Sequence, residues 1–226
     1  MAEHDLVSLV DIDNTLLDND RVIADLRGFL GQEVGARRAS EYFELFEELR
    51  AELGYADYLG ALQRYRSRHP HDSHLLCVSS YLIDYPFANR LFPGSLDALG
   101  RLRELGPVVI FSDGDAVFQP RKVERSGLMA EVDGNVLIYV HKEQELHDVE
   151  RRYPARRYVL VDDKLRILVA VKAAWGERVT TVFVRQGHYA LDPAIVSRYP
   201  AADVTLERIG DLADPAFGDV ARVATR

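Results

Sequence analysis

The sequence predicts an α/β fold: a mostly parallel sheet covered by helices on both faces, with an all-helical insert after the first strand. Three observations predict it. Short runs rich in aliphatic and β-branched residues recur along the chain, and several are nearly continuous in apolar residues, as strands buried on both faces require. Segments with apolar residues at helical spacing lie between these runs, so strand and helix alternate. Residues 18 to about 90 break the alternation and carry helical patterns only. The expected organisation is a first core segment over 1–17, the insert over 18–90, and the rest of the core over 91–226.

The elements follow in order. Residues 6–10, Leu-Val-Ser-Leu-Val, read as the first strand. In the insert, Leu26, Phe29 and Leu30 share one helical face, and residues 41–53 place Tyr42, Phe43, Leu45, Phe46 and Leu49 on another. Gly54 breaks that helix, and Tyr55, Leu59, Leu62 and Tyr65 suggest the next. A polar stretch over 66–73 precedes an apolar one over 75–82. The aromatic residues of the insert are expected to pack its own core. Pro93 and Gly94 then mark the start of a helix over 95–105, with apolar residues at 96, 99, 102 and 105. Strands are expected at 108–111, 136–140, 158–161 and 180–184, and helices at 116–126, 142–152 and 165–175. The tail is punctuated by Pro193, Pro200 and Pro215, with a short strand at 202–206 and a docking turn at 209–212.

Composition narrows the function. The chain has 226 residues, 47% hydrophobic and 28% charged, enough for one substantial domain with a smaller unit. A formal net charge of -8 argues against a nucleic-acid footprint, while local basic groups can still receive a small anion. Cys77 is the only cysteine, so no intrachain disulfide forms, and it reads as a small hydrophobe rather than a nucleophile. No segment has the length and apolarity of a membrane span. The first strand begins within a few residues of the N-terminus and leaves no room for a signal peptide, so cytoplasmic residence is expected. Oligomeric state is unreadable; a monomer and a homodimer both stay open.

Four chemical features fall at predicted strand ends. Asp11 and Asp13 follow the first strand; Ser112 follows Val109-Ile110-Phe111; Lys142 follows the strand at 136–140; Asp162 and Asp163 follow the strand at 158–161. If the strands are parallel, all four share one rim, where ligand crevices open in such sheets. Crowded carboxylates suit a hard cation such as Mg²⁺. An ammonium and a hydroxyl beside them suit a phosphoryl group, whose oxygens must be neutralised and held.

With these residues the chain resembles the haloacid dehalogenase-like (HAD) hydrolase superfamily. Asp11-Ile-Asp-Asn-Thr15 matches its first motif, Ser112 the second, Lys142 the third and Asp162-Asp163 the fourth, over about residues 5–185. The insert between the first two motifs is similar to the superfamily's type 1 helical cap. The resemblance implies a Rossmann-like three-layer core. It implies that Asp11 is a nucleophile forming an aspartyl-phosphate, and that Asp13 is the general acid and base. Thr15, Ser112 and Lys142 would bind the phosphoryl group. Mg²⁺ would be held by Asp11, the backbone carbonyl of Asp13, Asp162 and Asp163. Members that cleave carbon–halogen bonds lack the second acid, so Asp13 favours the phosphatase branch. The expected activity is Mg²⁺-dependent hydrolysis of a small soluble phosphomonoester. The alternatives are a phosphomutase of the β-phosphoglucomutase type and a weakly catalytic binding protein on the same scaffold.

Several residues are rivals or departures. Many relatives carry another acid where Arg166 and Ile167 stand. Asp113 is expected to cap the next helix. Lys122, beside Arg121 in a predicted helix, reads as a solvated side chain rather than a rival to Lys142. The His-rich stretch 66–74 reads as a polar loop, not a zinc site. Arg21 is the candidate substrate contact from the cap. Tyr81 and Tyr85 read as packing residues, and His188 as a residue that follows a strand near the rim.

Overall fold

The computed structural model describes residues 3–214, and Pro215 lies outside them. Six strands form one sheet: β1 (His4–Val10), β2 (Val108–Asp113), β3 (Val136–Tyr139), β4 (Ala155–Asp162), β5 (Val179–Val184) and β6 (Val204–Leu206). Their spatial order is β3-β2-β1-β4-β5-β6, and every pairing is parallel. The insert is α1 (Asn19–Glu33), α2 (Ala36–Leu53), α3 (Tyr58–Arg68) and α4 (Leu75–Asp84). The remaining helices are α5 (Ser95–Arg103), α6 (Phe118–Arg125), α7 (Leu128–Glu131), α8 (Leu146–Arg152), α9 (Leu165–Trp175), α10 (Gly187–Leu191) and α11 (Pro193–Val196).

The period of two along each strand divides the core into two halves, one on each face of the sheet. Val7 and Leu9 of β1, Val109 and Phe111 of β2, and Tyr158 and Leu160 of β4 pack with α8 and α9. Val10, Val108, Ile110, Val159 and Val161 face the opposite way, toward α5, α6 and the insert. Each such side chain contributes roughly 1.5–3 kcal/mol when fully buried. A slip of one residue would send each to the wrong layer, so the register is tightly specified.

That register builds the functional rim. After β1 the chain winds through β2 to β3 on one side, then returns to place β4 on the other. Strand order therefore reverses between β1 and β4, where a crevice opens at the carboxyl ends. Val10 pairs with Val161, and the Asp11 amide donates to the Val161 carbonyl at 3.0 Å. Asp11 thus emerges beside Asp162.

Local chemistry sets the insert's boundaries. The Asp18 carboxylate caps α1 by accepting from the Arg21 amide, and Asp57 caps α3 by accepting from the Gly60 amide at 2.6 Å. This second cap excludes Tyr55 from the helix the sequence suggested for it. Helix α2 begins at Ala36, earlier than expected, and ends at Gly54 in the left-handed conformation. The expected helix over 142–152 divides into a 3₁₀ turn, Lys142–Gln144, and α8. Aromatic packing is not confined to the insert: Phe46 stacks on Tyr58 at 4.6 Å, and Tyr58 meets Phe118 of α6 at 4.7 Å. Cys77 is exposed on α4.

Two chain crossings join insert and core, and they hydrogen-bond to each other. The Asp18 amide donates to the Arg90 carbonyl, and the Phe92 amide and Ser95 hydroxyl donate to the Leu16 carbonyl. Beside them Tyr85 and Arg90 both donate to Asp25, so Tyr85 is more than a packing residue. Tyr81 does pack, stacked on Phe29 at 3.9 Å. Among the described residues, no helix is long and apolar enough to cross a membrane.

Gly94 starts α5 at φ 82°, and an added Cβ would lie 2.6 Å from the Gly210 Cα. Gly94→Ala should destabilise the fold by about 2 kcal/mol or more through strain and overlap. Gly100, exposed within α5 with nothing near a new Cβ, provides the contrast. Gly100→Ala should be neutral or stabilise by about 0.5–1 kcal/mol. Urea unfolding midpoints of the two variants check both expectations.

Candidate active site

The loop after β1 turns sharply because Asn14 adopts φ 63°, a conformation that asparagine tolerates better than most residues. The amides of Thr15, Leu16 and Leu17 all donate to the Ile12 carbonyl. The turn brings the Thr15 hydroxyl back to Asp11, donating to Oδ2 at 3.4 Å. Asn14 also exchanges two hydrogen bonds with Asp20 in the first turn of α1. Asp20 in turn accepts from the His188 amide and pairs with its Nδ1 at 2.6 Å. His188 does reach the rim, where it tethers this loop.

Lys142 is buried at the centre. Its Nζ lies 2.6 Å from Asp11 Oδ1, 2.7 Å from Asp162 Oδ2, and donates to the Phe111 carbonyl at 2.9 Å. Burial alone would pull its pKa down, but the carboxylates of Asp11, Asp162 and Asp113 reverse this and hold it above the ordinary lysine value. Asp113 does not cap the next helix as expected. It accepts from the Lys142 amide at 2.7 Å and so seats the lysine; Asp115 caps α6, accepting from the Val117 and Phe118 amides.

Asp11, Asp162 and Asp163 present carboxylate oxygens within 4.8 Å of one another. Burial raises the pKa of Asp163 well above the usual carboxylate value; Lys164 opposes this, and Asp162 and Asp11 reinforce it. Asp162 is raised as well, by burial and by Asp11, against Lys142. Both Asp163 oxygens are buried without a hydrogen-bond partner. Buried carboxylates left without donors fit a cation bound among them, and an all-oxygen set suits Mg²⁺. Arg166, where many relatives carry an acid, pairs with Glu143 instead.

The Asp13 carboxylate stands outside that cluster. Lys122 Nζ donates to its Oδ1 at 2.6 Å and Gln119 Nε2 to its Oδ2 at 3.3 Å. Lys122 is fully buried and also donates to Asn19 Oδ1 at 3.1 Å, so its reading as a solvated side chain is corrected. A signal did exist: residues 118, 119, 122 and 123 share one buried face of α6, and two of them are polar. Gln119 also donates to the Ser112 hydroxyl at 2.9 Å.

A cavity of about 400 Å³ opens over Asp13 and Asp163. Tyr55, Phe46 and Arg50 line it from the insert, and Lys164, His188, Tyr189, Arg198 and Tyr199 from the core. Arg21 is not among the lining residues. Its guanidinium is exposed and pairs with Asp25 at 3.2 Å, which corrects its expected substrate contact. Arg50 and Arg198 escaped the sequence reading because no motif marks them, whereas Lys164 directly follows Asp162 and Asp163 in the fourth motif. The His-rich stretch ends α3 at Arg68 and continues as a polar loop organised by Asp72, which accepts from Arg38, Tyr65 and His74.

A family model described as haloacid dehalogenase-like hydrolase matches residues 7–175. A crystal structure described as a haloacid dehalogenase-like hydrolase from Burkholderia xenovorans LB400 is 64% identical. It superposes with a TM-score of 0.89, over 93% of this chain and 98% of that one. More distant structures share the fold. The HAD-hydrolase YfnB from Bacillus subtilis, bound to magnesium, has a TM-score of 0.60 at 14% identity, covering 93% and 97% of the two chains. The L-2-haloacid dehalogenase from Xanthobacter autotrophicus has a TM-score of 0.60 at 20% identity, covering 92% and 96%. Comparison with the curated proteins gives no match.

Mg²⁺ should raise the melting temperature of the wild type by binding only the folded chain. Asp163→Asn, which removes a ligand for the cation while keeping the buried polar shape, should gain less from Mg²⁺ than wild type does. Thermal melts with Mg²⁺ and with EDTA check this, and an equal gain in both proteins would contradict it.

Proposed function

The chain belongs to the haloacid dehalogenase-like hydrolase family, and from that premise we propose that it is a cytoplasmic, Mg²⁺-dependent phosphomonoester hydrolase of small soluble metabolites. One observation carries the reading: two carboxylates two residues apart occupy different surroundings. Asp11 is buried against Lys142, whereas Asp13 is held by Lys122 and Gln119 with its side chain 23% exposed at the cavity. Such separation suits a nucleophile beside an acid/base.

In the proposed reaction an Asp11 oxygen attacks phosphorus and the ester P–O bond breaks. Asp13 donates its proton to the departing oxygen. Asp13, now a carboxylate, takes a proton from water, and the water oxygen attacks phosphorus. The bond from phosphorus to Asp11 breaks, releasing inorganic phosphate and restoring the free carboxylate. Lys142 holds Asp11 in line and offsets negative charge. In this reaction the Ser112 and Thr15 hydroxyls, which otherwise donate to the Asp113 carbonyl and to Asp11, turn to donate to phosphoryl oxygens. A Mg²⁺ ion held by Asp11, Asp162, Asp163 and the Asp13 backbone carbonyl would add positive charge at those oxygens. The insert acts as a cap over the cavity and limits access of bulk water.

A haloacid substrate is the less favoured reading. Halide departs without a proton, so an acid held beside the cavity would have no task in that reaction. The dehalogenase neighbours share the fold at low identity. The magnesium reported for the Bacillus subtilis relative is in keeping with the acidic cluster here.

The cavity suits a compact anionic metabolite. Arg198 lines it with no side-chain hydrogen bond or ion pair among the described residues, and Arg50 faces it from α2, 3.4 Å from Glu47 and 5.8 Å over the Tyr189 ring. Both are placed to read a polar or anionic group away from the phosphate.

Phosphate release across a panel of phosphorylated metabolites, with Mg²⁺ or EDTA, tests the reading, with halide release from 2-haloacids as the counter-assay. Wild type should release phosphate only with Mg²⁺, Asp11→Asn should lose turnover, and no halide should appear. Halide release without phosphate release would overturn the assignment. On the best substrate, Arg198→Ala and Arg50→Ala should raise KM about tenfold or more and change kcat little, as expected for lost charged contacts.

A further inference from the structure

The grip on Asp13 comes from one short helix. Asp115 caps the start of α6, and Pro120 sits in its first turn, where its fixed φ suits the helix and its missing N–H goes unneeded. Gly114 lets the chain pass close to Gln119, whose side-chain carbons would lie 2.6–2.7 Å from any Cβ there. On this anchored helix Lys122 and Gln119 lie three residues apart, on one face, and each takes one oxygen of Asp13. Lys122 is wholly removed from solvent, with Nζ 5.4 Å from the centre of the Phe118 ring. A buried ammonium is costly unless it is paired, and the pair here is made with the acid that borders the cavity.

Resting on the phosphatase reading, we propose that Lys122 is a positioning residue for the Asp13 carboxylate, with Gln119 as its second support. The ammonium fixes Oδ1 and the amide restrains Oδ2, so neither side-chain torsion of Asp13 is free. The remainder of the carboxylate is left at the cavity, where a departing ester oxygen would arrive. The same ammonium bonds Asn19, the first residue of α1. Asp13 and the first turn of the cap are therefore registered against one atom. Lys122 touches no phosphoryl oxygen in this scheme; it acts through Asp13.

Positioning of an acid has a signature that general loosening of the fold lacks. A poor leaving group needs the proton and a good one does not. The quantity to compare is kcat/KM, which reports phosphoryl transfer to Asp11, for an alkyl phosphate and for p-nitrophenyl phosphate. Lys122→Met should lower kcat/KM for the alkyl ester on the order of 100-fold and for the aryl ester less than about threefold, since misplacing a general acid forfeits most of its contribution. Gln119→Leu should show the same selectivity with a smaller loss. If Lys122→Met does not fold, as judged by circular dichroism and thermal melting, the Gln119→Leu comparison decides. Equal losses on both esters, or no loss, in the folded variants would overturn the proposal while leaving the phosphatase reading intact. A wild type with no turnover sensitive to Asp11→Asn on either ester would instead overturn that reading, and this proposal with it.

Discussion

A single buried ammonium joins the ends of four neighbouring strands. Lys142 follows β3, and its Nζ meets the Phe111 carbonyl of β2, Asp11 after β1 and Asp162 at the end of β4. These four strands are adjacent in the sheet, and the contacts lie where its order reverses. Without the lysine, two carboxylates at neighbouring register positions would repel each other in a water-poor setting. Breaking such a buried pair costs roughly 3–5 kcal/mol, because a charge is left uncompensated. The interaction permits the acids to be buried, and in the proposed reaction it also orients Asp11 as the nucleophile.

The second lysine divides the labour. Asp11 lies with Lys142 beside Asp162 and Asp163, the acids proposed to hold a metal; Asp13 faces the cavity with Lys122. Neighbours in sequence thus become residents of two distinct electrostatic settings. The turn that separates them depends on Asn14 in the left-handed conformation, and Asp20 and His188 lock that turn. The insert enters the same network through Asn19 and Asp20, so its first helix is tied at its start to the loop that carries Asp11 and Asp13.

The sheet was legible because its strands are nearly continuous apolar runs buried on both faces, and because parallel order follows from alternation with helices. The positions of Asp11, Ser112, Lys142 and Asp162 at one rim were legible for the same reason: each lies at or just past the carboxyl end of a strand. Lys122 was not, since a lysine beside Arg121 on a short helix has the composition of a solvated face, and its burial depends on where α6 packs. The cap's contribution was the least legible. Arg21 follows the first motif in sequence but points to solvent, whereas Arg50 reaches the cavity from the far end of α2. The short helices α10 and α11 bring Tyr189 and the neighbouring Arg198 and Tyr199 to the mouth, and segments that brief carry no periodic signal. The resemblance of motifs located the chemistry; the cavity wall required the fold.

The account stands on Asp11 carrying the phosphoryl group. The most direct measurement is rapid acid quench during turnover of a phosphomonoester, followed by peptide mass spectrometry. The account predicts one phosphoryl group on the peptide containing Asp11, assigned to that residue and absent when substrate is omitted. Turnover that proceeds with the phosphoryl group on another residue, or with none trapped on the protein under conditions that preserve acyl phosphates, would contradict it.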